Sequence, residues 1–110
     1  MPDRELSFAV HRDDRGTLLP IELADTPFVV RRVFTVVGPA GGAERGGHAA
    51  VCQEAVVVVA GSVEVEVAGE RVVLDEPGAG VLIGAGEYVA YRLRDAPSVI
   101  LVLADEDYRP

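Results

Sequence analysis

An all-β sandwich or jelly roll is the fold class that this 110-residue chain predicts, on three observations. Short valine-rich runs are separated by Gly- and Pro-containing turns along the whole length, the layout of many short strands packed in two sheets. No stretch longer than ten residues shows helical periodicity. The runs also carry two burial signatures. Residues 53–60 are apolar on both alternations after Glu54, as in a strand covered on both faces. Residues 62–67 alternate instead, with Val63, Val65 and Val67 facing in and Glu64 and Glu66 facing out.

Taken in order, residues 5–10 form a first strand that ends at His11, a strand-end surface residue. Residues 12–16 (R-D-D-R-G) read as a turn, with Asp supplying side-chain caps and Gly a positive φ. Residues 17–23 form a second strand, which Pro20 restricts to an edge or a bulge, and residues 24–27 turn again. Residues 28–37 carry enough β-branched and aromatic side chains for a long strand, and 38–47 form a Gly-rich loop. After the strands at 53–60 and 62–67, Ala68 and Gly69 make a tight hairpin turn into residues 71–74. Short strands follow at 81–83, 87–93 and 99–103, with turns at 77–80, 84–86 and 95–97. The total is nine or ten strands in one domain, residues 1–110, with no internal repeat or linker.

Composition narrows the partners. The chain has ten basic residues, all Arg, against 18 acidic ones, a net charge of −8. That balance disfavours nucleic acid and anionic membranes, while leaving room for a local Arg cluster around a phosphate. Cys52 is the single cysteine, so no internal disulfide is available and a reducing, cytoplasmic setting is expected. No apolar run reaches transmembrane length. With no Trp and six aromatic residues, the core must be aliphatic. The run 55–60 would aggregate if exposed, so it belongs in a core or a subunit interface, and a homodimer is plausible.

The chemistry concentrates between Gly42 and Gly61, where a glycine turn carries His48 and Glu54 into an apolar strand. The spacing G-x5-H-x-A-x3-E-x6-G resembles the first cupin motif, with Ala50 in place of its second His. The resemblance implies a small cupin, a double-stranded β-helix jelly roll. The His of the second cupin motif falls at Val89, which leaves His48 and Glu54 of four ligands. Common transition-metal sites need at least three protein ligands, so neither a metal nor another cofactor is expected. Taken alone, Glu54 is either a buried partner for an Arg or a pocket acid with a raised pKa. Cys52 reads as a small buried hydrophobe.

Residues 13–18 (D-D-R-G-T-L), Glu22, 27–34 (P-F-V-V-R-R-V-F), 45–49 (R-G-G-H-A), 74–81 (L-D-E-P-G-A-G-V), 99–104 and Tyr108 resemble the sugar 3,4-ketoisomerase family. This cupin group includes the WxcM-like proteins and acts on thymidine diphosphate 4-keto-6-deoxyhexoses in deoxysugar biosynthesis. The resemblance implies a metal-independent homodimer that interconverts 3-hydroxy-4-keto and 3-keto-4-hydroxy sugars. Such a reaction removes a proton at C3 and returns one at C4, work suited to imidazole. The family motif R-G-x-H-A-H places an acid/base His at His48, and its second His falls at Ala50. Val51, Thr35, Tyr88 and Ala90 depart from the family's Lys, Tyr, Trp and Glu. His48 is then the base, with Glu54 or a tyrosine, Tyr91, relaying the proton. Arg45, beside the motif, is placed near the diphosphate. Arg32 and Arg15 are further substrate-binding candidates, or framework partners of Glu22 or Asp13. Tyr88 can stack on a base or sugar, or pack at the rim. Two alternatives stay open: a cyclase, epimerase or lyase of secondary metabolism, and a non-catalytic cupin that binds a ligand or steadies a partner.

Overall fold

Eleven strands appear among the residues described by the computed structural model, namely 4–38, 44–94 and 97–108. They are β1 (Glu5–Ser7), β2 (His11–Asp13), β3 (Gly16–Leu18), β4 (Arg32–Gly38), β5 (Arg45–Ala49) and β6 (Glu54–Ala60). Then follow β7 (Val63–Val67), β8 (Glu70–Leu74), β9 (Ala79–Ile83), β10 (Tyr88–Leu93) and β11 (Ser98–Ala104). One sheet has the order β1-β9-β6-β11-β4 and the other β5-β10-β7-β8, while β2 and β3 form a separate hairpin. Every pairing is antiparallel. From β4 to β6 the chain changes sheet at each strand, and it does so again from β8 to β11. This is the jelly-roll pattern predicted from the strand spacing.

The core is aliphatic and lies between the sheets. Val56, Val58, Val81, Ile100 and Val102 come from the five-stranded sheet and meet Val63, Val65, Val67, Val89 and Leu74 from the other. Ala55 and Val57, on the other face of β6, are equally inaccessible, so the central strand is covered on both sides as its unbroken apolar sequence requires. The alternation of β7 holds, with its three valines buried and Glu64 and Glu66 half-buried on the other face. At the β7–β8 turn Ala68 takes φ 50° and Gly69 φ 84°, the left-handed pair of a type I′ hairpin.

Several local expectations change, beginning with the first strand, which stops at Ser7 instead of running to Val10. Residues 12–16 are part of a hairpin rather than a bare turn: the Asp13 carboxylate accepts the Arg15 backbone N–H at 2.8 Å and Gly16 takes φ 130°, which lets the flanks pair. The strand expected at 17–23 stops at Leu18, just before Leu19 and Pro20, and Leu23–Asp25 forms a 3-10 turn. The strand expected from residue 28 joins the ladder at Arg32. The Gly-rich loop expected at 38–47 contains the start of β5; its residues 39–43 lie outside the described residues, as do 95 and 96 of the expected turn at 95–97. The sequence of β5, R-G-G-H-A, has little strand propensity of its own, and pairing with β10 makes it a strand. No helix among the described residues is long and apolar enough to cross a membrane.

Candidate functional site

Strand register decides which side chains meet. Directly paired residues on antiparallel neighbours share a face of the sheet. Across the five-stranded sheet, Arg32, Ala104, Glu54 and Ile83 form one such row. It lies on the same face as Phe34, Val56, Val81 and Val102, so the row faces the interior. Across the other sheet, His48, Val89, Val67 and Glu70 form a facing row, and Arg45, Tyr91, Val65 and Val72 form the next. The link 50–53 joins the ends of β5 and β6 that carry His48 and Glu54, and 84–87 joins β9 to β10 at the same end. Arg32, Glu54, His48, Arg45 and Tyr91 therefore turn toward one end of the space between the sheets.

His48 lies on an edge strand and is exposed. Its Nδ1 is 2.9 Å from the Ala49 carbonyl oxygen. A carbonyl oxygen only accepts, so Nδ1 donates, and the lone pair of the neutral ring sits on Nε2. This contact leaves Nε2 as the ring nitrogen able to take a proton. Glu54 is half-buried at the start of β6. Burial pushes its carboxyl above the ordinary value, and the charges of His48, once its ring is protonated, and of Arg32 oppose that push. Burial also raises the Tyr91 phenol, with the Glu54 charge adding to the rise and Arg45 opposing it. The three candidate acid/base residues are thus electrostatically linked, with Glu54 in the middle.

The arginines and tyrosines divide. Arg45 stands opposite Tyr91 on the exposed edge strand, directly before the positive-φ Gly46. A Cβ at Gly46 would meet the Val89 carbonyl oxygen at 2.8 Å, so a glycine is needed for β5 to approach β10 at its bulge. Arg32 faces inward, its guanidinium 4.6 Å from the Phe34 ring centroid and 4.8 Å from that of Tyr108. Arg15 is not brought to this cluster. It pairs with Asp13 at 2.5 Å in the exposed hairpin, the framework role open to it from sequence, and it lines a separate open hollow of about 330 Å³. Tyr88 is not brought to it either: alternation along β10 turns Tyr88 to the face opposite Val89 and Tyr91, and it is exposed there.

Ala50 is buried, and its side chain belongs to the core cluster. The turn between β9 and β10 holds it from both sides, because Ala50 N–H donates to the Glu87 carbonyl and Gly86 N–H donates to the Ala50 carbonyl, each at 2.8 Å. Glu87 in turn accepts from Arg4 Nη1 at 2.7 Å, Arg4 Nη2 at 2.9 Å and Gly84 N–H at 2.6 Å. These bonds, the Arg4 pair foremost, hold the Glu87 carboxyl down at about 2. Gln53 and Cys52, beside the site, are structural. Gln53 bonds Asp105 through its backbone and side chain, and Cys52 is buried, which raises its thiol pKa. Among the described residues no three His, Cys, Asp or Glu side chains converge as a metal would require.

Sequence reasoning attached no role to Glu87, Phe34 or Tyr108 in this site. Phe34 and Tyr108 were legible only as parts of matching stretches, because a stacking partner 76 positions away leaves no local pattern.

Residues 4–110 match the family described as FdtA: WxcM-like, C-terminal. No curated protein matches the chain in sequence. Among solved structures, a 3,4-ketoisomerase from Helicobacter canadensis is 28% identical and superposes with a TM-score of 0.82, over 96% of this chain and 84% of the other. QdtA, a sugar 3,4-ketoisomerase from Thermoanaerobacterium thermosaccharolyticum solved with TDP, is 28% identical with a TM-score of 0.82, over 96% and 81%. The WlaRB TDP-quinovose 3,4-ketoisomerase from Campylobacter jejuni is 28% identical with a TM-score of 0.81, over 96% and 86%. With the family matched over nearly its whole length and the expected cupin jelly roll in place, this chain belongs to the FdtA, WxcM-like C-terminal family.

Proposed function

We propose that this protein is a metal-independent isomerase that moves a carbonyl between C4 and C3 of a nucleotide-linked keto-deoxysugar, a thymidine diphosphate 4-keto-6-deoxyhexose, in deoxysugar biosynthesis. The observation that carries the reading is the gathering of His48, whose Nδ1 bonds the Ala49 carbonyl, and the half-buried Glu54 at one end of the space between the sheets. His48 Nε2 takes the C3 proton, the C–H electron pair forms the C3=C4 bond, and the former C4 carbonyl oxygen takes the charge. The proton on the C3 oxygen passes to the C4 oxygen through Glu54 or Tyr91, whose raised pKa values suit them to carry protons. Return of the proton from His48 to C4 leaves the carbonyl at C3, with no net oxidation. Ala50 carries no proton, so one imidazole works on a single face of the ring. Arg45, exposed on the edge strand, takes the diphosphate.

The same reading makes the protein a cytoplasmic homodimer. Its free cysteine suits a reducing compartment. Val33 and Val37 project from the outer face of β4 and are exposed, beside Val99 and Leu101 of β11, a surface suited to a second copy.

The deciding experiment incubates the protein with a thymidine diphosphate 4-keto-6-deoxyhexose in D2O. Deuterium is expected at C3 of the recovered substrate and at C4 of the 3-keto product. No exchange above buffer and no thermal shift with that nucleotide sugar would overturn the reading. The variant His48→Asn is expected to lose about 10²- to 10⁴-fold in kcat while still binding TDP. Full activity in that variant would remove His48 from the mechanism.

A further inference from the structure

We propose that Arg32 is the electrophile of this site, the group that touches the keto oxygen and holds its charge as the enediolate forms, and that Tyr108 is its positioning residue. The inference rests on the isomerase reading above and assigns Arg32 to the reacting oxygen instead of the diphosphate.

Placement is the first argument. Arg32 occupies the interior-facing row of the five-stranded sheet together with Glu54, two strands away through Ala104. Its field reaches the Glu54 carboxylate, as does that of His48. A sugar whose C3 proton lies against His48 therefore has its neighbouring oxygens on the side of Glu54 and Arg32. Arg45, by contrast, sits on the exposed edge strand, where a solvated diphosphate can reach it.

The second argument is how Arg32 is held. Its neighbour Arg31 is exposed and pairs with Asp107 at 3.7 Å. Among the described residues the Arg32 side chain makes no ion pair or hydrogen bond. It lies over the Phe34 and Tyr108 rings instead. An aromatic face steadies a guanidinium through its charge and flat surface without consuming its N–H donors. Arg32 thus arrives oriented, charged and with donors to spare, as a stabiliser of developing negative charge must.

The third argument is the C-terminal segment. Asp105 is bonded to the backbone and side chain of Gln53 at 3.0 and 3.1 Å, Asp105 N–H donates to the Gln53 carbonyl, and Arg31 N–H donates to Ala104. The segment after β11 is thereby fastened across the beginnings of β4 and β6, and that fastening delivers Tyr108 onto Arg32. The proton balance is unchanged by this assignment. Arg32 gives up no proton; it lowers the cost of the charge left on the C4 oxygen when His48 removes the C3 proton.

The test compares wild type with Arg32→Gln, Arg32→Lys, Tyr108→Ala and Tyr108→Phe. Readouts are kcat, KM, the rate of C3 exchange in D2O, the Kd for TDP alone and a thermal melt. Arg32→Gln is expected to lower kcat and exchange together by about 10²- to 10³-fold, with the TDP Kd within about twofold of wild type. Arg32→Lys, which keeps the charge, should recover part of the loss. Tyr108→Ala should lower kcat by about 3- to 30-fold, and Tyr108→Phe, which keeps the ring, should restore most of it. If Arg32→Gln folds and weakens TDP binding tenfold or more while kcat holds, Arg32 is a phosphate ligand and the proposal is overturned. Unchanged kcat in both Arg32 variants overturns it as well. Absence of both exchange and 3-keto product in the wild type would instead overturn the isomerase reading, and this one with it.

Discussion

Glu54 shows at the level of a single residue how a site costs stability. Its carboxyl sits in the first position of a strand whose next four residues are fully buried, and burial raises its pKa against the opposing fields of His48 and Arg32. A carboxyl whose folded pKa lies above its unfolded value favours folding in its neutral form. That advantage is present below the unfolded pKa and is lost as pH rises through the folded one. Glu54→Gln removes the ionisable group, so the variant is expected to gain stability relative to wild type as pH rises above the ordinary carboxylate range, and to lose that gain in acid. Urea melts at several pH values check this, and the same variant should turn over substrate more slowly if Glu54 relays the proton. A gap between the two proteins that is independent of pH would contradict the assignment. Ala50 is the other informative residue. The expectation that a second acid/base group is missing there is met by a small side chain packed into the core, with both backbone groups bonded to the facing turn.

Two connections between strands carry stability that can be measured separately. The β7–β8 turn places Ala68 at φ 50°, where a Cβ is strained and Gly or Asn is preferred. Ala68→Gly is expected to raise stability by up to about 1 kcal/mol, and Ala68→Asn by a similar amount, in denaturant melts with unchanged activity. The turn between β9 and β10 depends on the Arg4–Glu87 fork. Because the Glu87 pKa falls to about 2 from its ordinary 4.5, the stability it contributes is present above 4.5 and disappears as pH falls toward 2. Glu87→Gln should cost about 1–2 kcal/mol at neutral pH, allowing for solvent screening of a partly exposed pair. The deficit should shrink toward zero in acid. The same turn bonds Ala50, two residues from His48, so loosening it should also lower kcat modestly.

For the whole molecule, the two sheets assign opposite duties to opposite faces. The inner faces hold the core and, at one end, the Arg32, Glu54 and His48 rows. The outer face of the five-stranded sheet leaves Val33 and Val37 exposed at its β4 edge. If that face pairs two copies, Val33→Asp with Val37→Asp should convert a dimer to a monomer in sedimentation while preserving the melting transition of the single chain. A dimer that survives both changes would place the interface elsewhere.

Strand content, the two-sided burial of β6, the inward valines of β7 and the 68–69 turn were all legible in the sequence, because each depends on alternation or turn chemistry within a few residues. The His48 and Glu54 pair was legible too, since both lie in one contiguous motif. Tertiary structure alone decided that β5 is a strand, since R-G-G-H-A becomes one only by pairing with β10. It also decided that Tyr91 turns in while Tyr88 turns out, which follows from register, and that Arg15 keeps to its own hairpin with Asp13. Above all it brought Tyr108 and Phe34 onto Arg32. The physical reason is common to these cases. Local pattern fixes which face of a strand is wet, but which distant side chains share a space depends on the order and register of strands from opposite ends of the chain.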